Sequence, residues 1–455
     1  MTFAGYSVSQ QAYLLVQNTS SFSMDIKSQG FEGLIGLGPN TGSVIWDKLD
    51  ADDSSGDSVL SRIFSQNTTS SNYLTLLLDR QGGGNQSFTG QLTISELIAG
   101  FENITSMPKL GVDKVHKLTD ADQHWQTYTD ADGVLGPDGN AIVVDSIVPS
   151  APDNQLGVVF DSGYTLPQVP RAMSDAIYGC VQGAEYNTAS QAWTIPCSQE
   201  INLTFKFGGV EYPIHPLDVS TSDFNMVDSS GNPVCLGAFQ PITSAFSLLG
   251  EYDIILGMAF LRNTYTLFDY GDWVDDSSND RSDPYIQLLS VTDKTKMHND
   301  FVTVRLNGID TTNSTSQALL PSSQCKSSPI SDAEKKKLYV KIISLSLWAL
   351  LTMSSYNCRY EEKVLSRWPY IFVGCLAFVL IVIGIITWRC CIARRRRLAK
   401  TQQKAVSMGL STGGLGQSSQ YRAVDGTGSA VNLQQMGAKH DYDDDPYAYR
   451  GHKEV

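Results

Sequence analysis

The residues best suited to chemistry are Phe160-Asp161-Ser162-Gly163-Tyr164-Thr165 and, downstream, Ile255-Leu256-Gly257. The first stretch sets an aspartate on a tight Ser-Gly turn straight after an apolar run, Gly157-Val158-Val159-Phe160. The second is an apolar strand that ends in a glycine. A carboxylate held on a turn can serve as a general acid or base. Asp-Ser-Gly alone is also a common turn tripeptide, so its meaning depends on the elements that position it.

Those elements read as an all-β body over residues 1–295. Short apolar runs alternate with Gly, Asn, Asp and Ser clusters: Tyr13–Val16, Tyr73–Leu78, Gln91–Ile94, Leu203–Phe207 and Tyr265–Phe268. Each has strand length and is bounded by turn residues. Short helices are expected near Pro170–Gln182 and Ala259–Asn263, and no repeat of fixed period is present.

Charge and hydropathy divide the 455 residues by compartment. Net charge is −14. Residues 1–367 hold 22 Lys and Arg against 41 Asp and Glu, and residues 368–455 hold 11 against 6. An acidic body argues against nucleic-acid binding. Trp368–Trp388 carries no charged side chain over about 20 residues, the length of a bilayer-spanning helix, with tryptophans at both ends. Arg389, Arg394–Arg397 and Lys400 follow. The positive-inside rule puts the tail in the cytosol and residues 1–367 outside or in a lumen. The sequons at Asn18, Asn67, Asn85, Asn103, Asn202 and Asn313 all precede the span, as in a glycosylated ectodomain. Residues 296–367 read as a Ser/Thr-rich stalk, interrupted by an apolar segment at 342–353 that is too short to span. Residues 340–364 could also be translated intron. Residues 389–455 read as a disordered tail. Cys390 and Cys391 suit palmitoylation at the membrane edge. Cys180, Cys197, Cys235, Cys325 and Cys358 are external, an odd number.

An ordered set of motifs resembles the pepsin-like aspartic proteases. It begins with Phe31–Gly38, then Tyr73–Arg80, Gly90–Ile94 and His124-Trp125-Gln126. It continues with Asp161-Ser162-Gly163, Trp193–Cys197, Val234–Gln240 and Asp253–Gly257, and ends with Phe260–Asp269. The resemblance implies a bilobal β fold, with residues 1–95 from the amino-terminal lobe and 96–295 the carboxyl-terminal lobe. It implies that Asp161 is the catalytic aspartate of the second lobe, supported by Ser162, Gly163, Thr165 and Gly257, and that Cys197 pairs with Cys235. In this reading Gly163 lets backbone donors approach the carboxylate and keep it ionised. Tyr164 departs from the family's usual Ser or Thr.

The family's chemistry uses two aspartates that share a proton, for which pepsin is the standard example. No second Asp-Thr/Ser-Gly precedes Leu34-Ile35-Gly36. Asp25 is followed by Ile26-Lys27, and Asp145-Ser146 lacks the glycine. The amino terminus also has no signal-peptide pattern. The expectation is therefore an incomplete first lobe and a true start upstream of Met1. The implied activity is aspartic endopeptidase chemistry with an acid optimum, acting on peptide or protein substrates from a secretory-pathway membrane. These residues alone are expected to be inactive, and the chain monomeric. The alternative is a catalytically dead pepsin-like binding protein. No cofactor and no metal are implied. His124 and His215 read as strand or turn residues, and no His-Glu-X-X-His or Gly-X-Ser-X-Gly occurs.

Overall fold

The computed structural model describes residues 1–15, 33–49, 54–67, 70–80, 90–113, 123–228, 230–242, 252–274 and 283–330, together with the backbone of 430–432. The expected segment 342–353, the span 368–388 and Cys358, Cys375, Cys390 and Cys391 lie outside the described residues. Among the described residues no helix is long and apolar enough to cross a membrane.

The body is mostly β-sheet with a few short helices. One five-stranded antiparallel sheet runs Gln91–Ile94, Tyr73–Leu77, Thr264–Asp269, Tyr285–Ser290, Leu110–Gly111. Residues more than 150 positions apart thus share one sheet, Leu77 standing opposite Tyr265 and Leu74 opposite Phe268. The side-chain period of two gives it two apolar faces. Leu77, Tyr265 and Leu267 pack with Ile98 and Ile104 on one side. Leu74, Leu76, Phe268, Ile286 and Leu288 join the main core on the other.

The second five-stranded sheet is mixed. Its order is Gln240–Pro241, Gln168–Val169, Ile254–Leu256, Gly157–Phe160, Gln126–Tyr128. The central pair is parallel, with Ile254, Ile255 and Leu256 opposite Val158, Val159 and Phe160. All seven residues of these two strands are buried, which explains their unbroken apolar sequence. Behind them Phe160, Phe205, Phe207 and Phe260 form one aromatic cluster, with ring centroids 5.5–6.4 Å apart.

The expected helices are present as Arg171–Tyr178 and Met258–Leu261. A third, Val59–Gln66, follows a Ser58 cap and buries Leu60, Ile63 and Phe64. This i, i+3, i+4 spacing lies in the sequence, hidden in a Ser- and Asp-rich stretch. Phe64 meets Tyr270, and Tyr270 meets Trp125. The Leu37 carbonyl accepts hydrogen bonds from Trp125 Nε1 and the Tyr270 hydroxyl, at 3.0 and 2.6 Å. Nearby Leu34 and Ile35 stay 81% and 42% exposed. No described strand covers them.

Residues 296–330 are not a free stalk. Lys294–Arg305 form a helix that buries Met297, Phe301 and Val302. The chain beyond it lies along the helix Arg171–Tyr178, fastened by a Cys180–Cys325 disulfide. Its polar composition reflects backbone-mediated docking: Leu320 N–H donates to the Cys180 carbonyl, and Lys326 N–H to the Gly179 carbonyl, at 2.8 and 2.9 Å. Finally, the backbone of Ala430–Asn432 pairs in parallel with Tyr13–Leu15.

Candidate active site

Asp161 follows the last residue of the strand Gly157–Phe160, where the chain leaves the parallel pair. Its N–H donates to the Leu256 carbonyl at 3.0 Å, so the neighbouring strand fixes its backbone. The turn closes when Tyr164 N–H donates to the Asp161 carbonyl at 3.3 Å and Gly163 N–H to the Asp161 Oδ1 at 2.8 Å. Ser162 and Thr165 are half-buried on either side of this turn, while Gly163 is exposed.

Gly257 ends the partner strand. A Cβ there would lie 2.3 Å from the Tyr164 carbonyl oxygen. Only glycine lets the two chain segments approach this closely. The Met258 N–H then donates to that same carbonyl at 2.7 Å. The two motifs separated by nearly a hundred residues therefore meet as one loop, with the aspartate at its crossing.

The strand alternation assigns its faces. Val158, Phe160, Ile254 and Leu256 join the main core. Val159 and Ile255 point the other way and form a separate small cluster with Tyr252 and Tyr164. Asp161 follows Val159 by two and shares that outer face. The carboxylate therefore stands beside an apolar floor with two tyrosines around it. His124 stands perpendicular to Tyr252, with ring centroids 6.1 Å apart.

Burial is the largest influence on Asp161 and pushes its carboxyl above the ordinary range. The Gly163 N–H and the nearby His124 oppose it. Among the described backbone donors the Gly163 N–H reaches the carboxylate, and desolvation outweighs its effect. His124, read from the sequence as a strand or turn residue, lies just before the strand Gln126–Tyr128, which pairs with Gly157–Phe160.

The remaining residues separate cleanly. Cys197 and Cys235 are bonded as the resemblance implied. Asn67, Asn103, Asn202 and Asn313 are all exposed, whereas Asn18 and Asn85 lie outside the described residues. His215 accepts from Leu217 N–H at 3.1 Å and caps the short helix Pro216–Val219. Asp145 is exposed, and the adjacent Ser146 hydroxyl donates to buried Asp253 at 2.7 Å.

A family model described as eukaryotic aspartyl protease matches residues 1–274. The match covers more than half of the sequence, and the chain belongs to this pepsin-like family. It is 28% identical over 276 residues to major aspartyl peptidase 1 of Cryptococcus neoformans var. grubii, covering 59% of this chain and 51% of that protein. It is 22% identical over 271 residues to the probable aspartic-type endopeptidase CTSD of Trichophyton verrucosum, covering 59% and 44%. The corresponding protein of Arthroderma otae is 22% identical over 272 residues, covering 59% of each. The chain thus spans about half the length of the curated relatives it matches.

Proposed function

We propose that this chain carries the carboxyl-terminal catalytic lobe of an aspartic endopeptidase, with Asp161 as one acid of a proton-sharing pair. The observation that supports this reading is the interlock of the Asp161 turn with Gly257, which presents a half-buried carboxylate beside an apolar floor. An extended peptide with apolar side chains suits that surface. In the pair, the ionised acid takes a proton from water attacking the peptide carbonyl, and the protonated acid polarises that carbonyl. Only one Asp-Ser/Thr-Gly turn occurs in these 455 residues, so hydrolysis requires a second carboxylate from elsewhere. In this reading these residues alone bind peptide without cleaving it.

The test is an internally quenched apolar peptide incubated with the purified full chain at pH 3–6, with binding followed by calorimetry. Binding without turnover is expected, and Asp161→Asn should change that binding. Brisk cleavage would remove the claim of inactivity. Cleavage that persists in Asp161→Asn would remove Asp161 from the mechanism. The exposed Leu34 and Ile35 and the single aspartate motif favour a second reading, a tethered peptide-binding protein. Cleavage that appears when a longer transcript is expressed decides against it.

We further propose that residues 368–388 span a secretory-pathway membrane, with a glycosylated body outside or lumenal and the tail cytosolic. The support is the uncharged segment, the arginine block after it and the exposed sequons. This topology and the pairing of Ala430–Asn432 with Tyr13–Leu15 exclude each other in one molecule. Protease digestion of sealed microsomes discriminates them: loss of a tail epitope with survival of the body supports the span, and joint protection opposes it.

A further inference from the structure

Asp161 has a titratable neighbour across the sheet. The strand Gln126–Tyr128 runs antiparallel to Gly157–Phe160, with Gln126 opposite Val159. One step further, Phe160 N–H donates to the Trp125 carbonyl at 2.9 Å. The ladder ends there: the chain bends at Trp125, Gln126 N–H donates back to the His124 carbonyl at 2.8 Å, and His124 and Asp161 are the residues by which the two neighbouring segments leave the sheet. Trp125 turns inward, its ring 4.9–5.1 Å from those of Phe268, Tyr270 and Trp273. The His124 ring meets Tyr252, which belongs to the outer cluster of Val159, Ile255 and Tyr164 beside the Asp161 turn.

We propose that His124, as an imidazolium at acid pH, is a positioning residue that holds Asp161 in its carboxylate form and so designates it the base of the pair. The inference rests on the endopeptidase reading and names which acid carries the charge. An isolated histidine titrates near about 6.5, so below that value the imidazole is charged and attracts the Asp161 carboxylate. Above it the imidazole is neutral and the help disappears. The effect on Asp161 has the same sign: His124 lowers an acid that burial raises.

The other groups on the adjoining elements are occupied or distant in register. Asp253, beside Ile254–Leu256, accepts from Gly157 N–H, Ile147 N–H and the Ser146 hydroxyl, each at 2.7 Å. Tyr128, at the opposite end of its strand, donates to Asp113 at 2.7 Å. Tyr164 and Tyr252 border the site as phenols, and Asp145 is exposed on the loop before Asp253's partners. His124 is thus the cationic group placed to act on Asp161 among the described residues.

The experiment reads ionisation without turnover, so it stands apart from whether the chain cleaves peptides. Small epoxides alkylate carboxylates and not carboxylic acids. The full chain is treated with 1,2-epoxypropane from pH 2.5 to 7, and esterification of Asp161 is followed by mass spectrometry of its peptide. In His124→Gln the midpoint of labelling should move up by about one pH unit, while His124→Lys should keep the lower midpoint. Coincident midpoints for wild type and His124→Gln, with both folded by circular dichroism, overturn the proposal. Should His124→Gln fail to fold, His124→Lys decides alone: a raised midpoint overturns it, and an unchanged one supports it. Absence of Asp161 labelling in wild type at every pH also overturns it, because the carboxylate would not face the cleft.

Discussion

Gly257 and the Tyr164 carbonyl approach so closely that a β-carbon on the glycine would stand 2.3 Å from that oxygen. The contact is backbone to backbone, so no side-chain rotation can relieve it. Gly257→Ala should push the Asp161 turn away from the strand Ile254–Leu256. We expect a loss of roughly 1–3 kcal/mol, the usual range for overpacking, read by urea denaturation. Peptide binding should fall in the same variant, because the displaced turn carries the acid.

Asp161 should itself weaken the fold at neutral pH. Its carboxyl is raised above the ordinary value, chiefly by burial. Between the unfolded and folded titration points the native chain binds more protons than the unfolded chain. Stability therefore falls as pH rises through that window. Asp161→Asn should melt higher than wild type at pH 7, and the difference should shrink toward pH 3. His215, pushed down to about 3 by burial and by Arg80, acts in the opposite direction. It is common to both proteins, so it cancels in the comparison. An unchanged difference across the pH range would refute the assignment.

Much of this arrangement could be read before any coordinates. Gly157–Phe160 and Ile254–Leu256 are buried on both faces, so their apolar runs mark them plainly. The turn residues of Asp161-Ser162-Gly163 then mark where the carboxylate leaves the sheet. The balance of forces on Asp161 was harder, since it depends on how many donors reach the carboxylate in three dimensions. His124 lies 37 positions earlier, and only the bond from Phe160 N–H to the Trp125 carbonyl brings its segment beside the acid. Residues 306–330 misled for a different reason. Their anchors are mostly backbone groups, with the Gln317 and Lys326 side chains and a cysteine whose partner is 145 residues away, and composition carries none of these signals.

Arg80 and Asp218 tie the two halves of the body together behind the site. The guanidinium donates twice to Asp218 Oδ2, at 2.9 and 2.6 Å, and once to Asn263 Oδ1 at 3.0 Å. Asn263 also receives His215 N–H and the Thr292 hydroxyl, and its amide donates to Asp218 and to the Ala259 carbonyl. Ala259 belongs to the helix that begins directly after Gly257. Both charged side chains are nearly sealed from water, 8% and 2% exposed. Arg80→Met should leave the buried Asp218 carboxylate with only the Asn263 amide and Arg262, 3.7 Å away, and cost about 1–3 kcal/mol. The double variant Arg80→Met, Asp218→Leu should recover much of that loss in equilibrium denaturation. If the single variant is neutral, the network is not holding the site's rear support.

The segment after the last helix should behave as part of the folded lobe. Its backbone lies so near Gly179 that a Cβ there would meet the Lys326 carbonyl at 2.2 Å. Gln182 Nε2 reaches the Thr315 and Ala318 carbonyls at 2.9 and 2.7 Å, and Ser328 N–H reaches Asp175 Oδ1 at 3.0 Å. These contacts are polar and individually modest, so the Cys180–Cys325 bond carries much of the attachment. Cys325→Ser should lower stability by about 2–5 kcal/mol, the range for loss of a native disulfide. In hydrogen exchange, the amides of Leu320 and Lys326 should lose protection first, while Phe160 and Asp161 keep theirs. Limited trypsin should then cut at Lys326, whose ammonium otherwise donates to the Ala184 carbonyl at 2.6 Å. Equal protection at Leu320 in wild type and variant would mean that the backbone contacts alone hold the segment, and the disulfide would lose its assigned role.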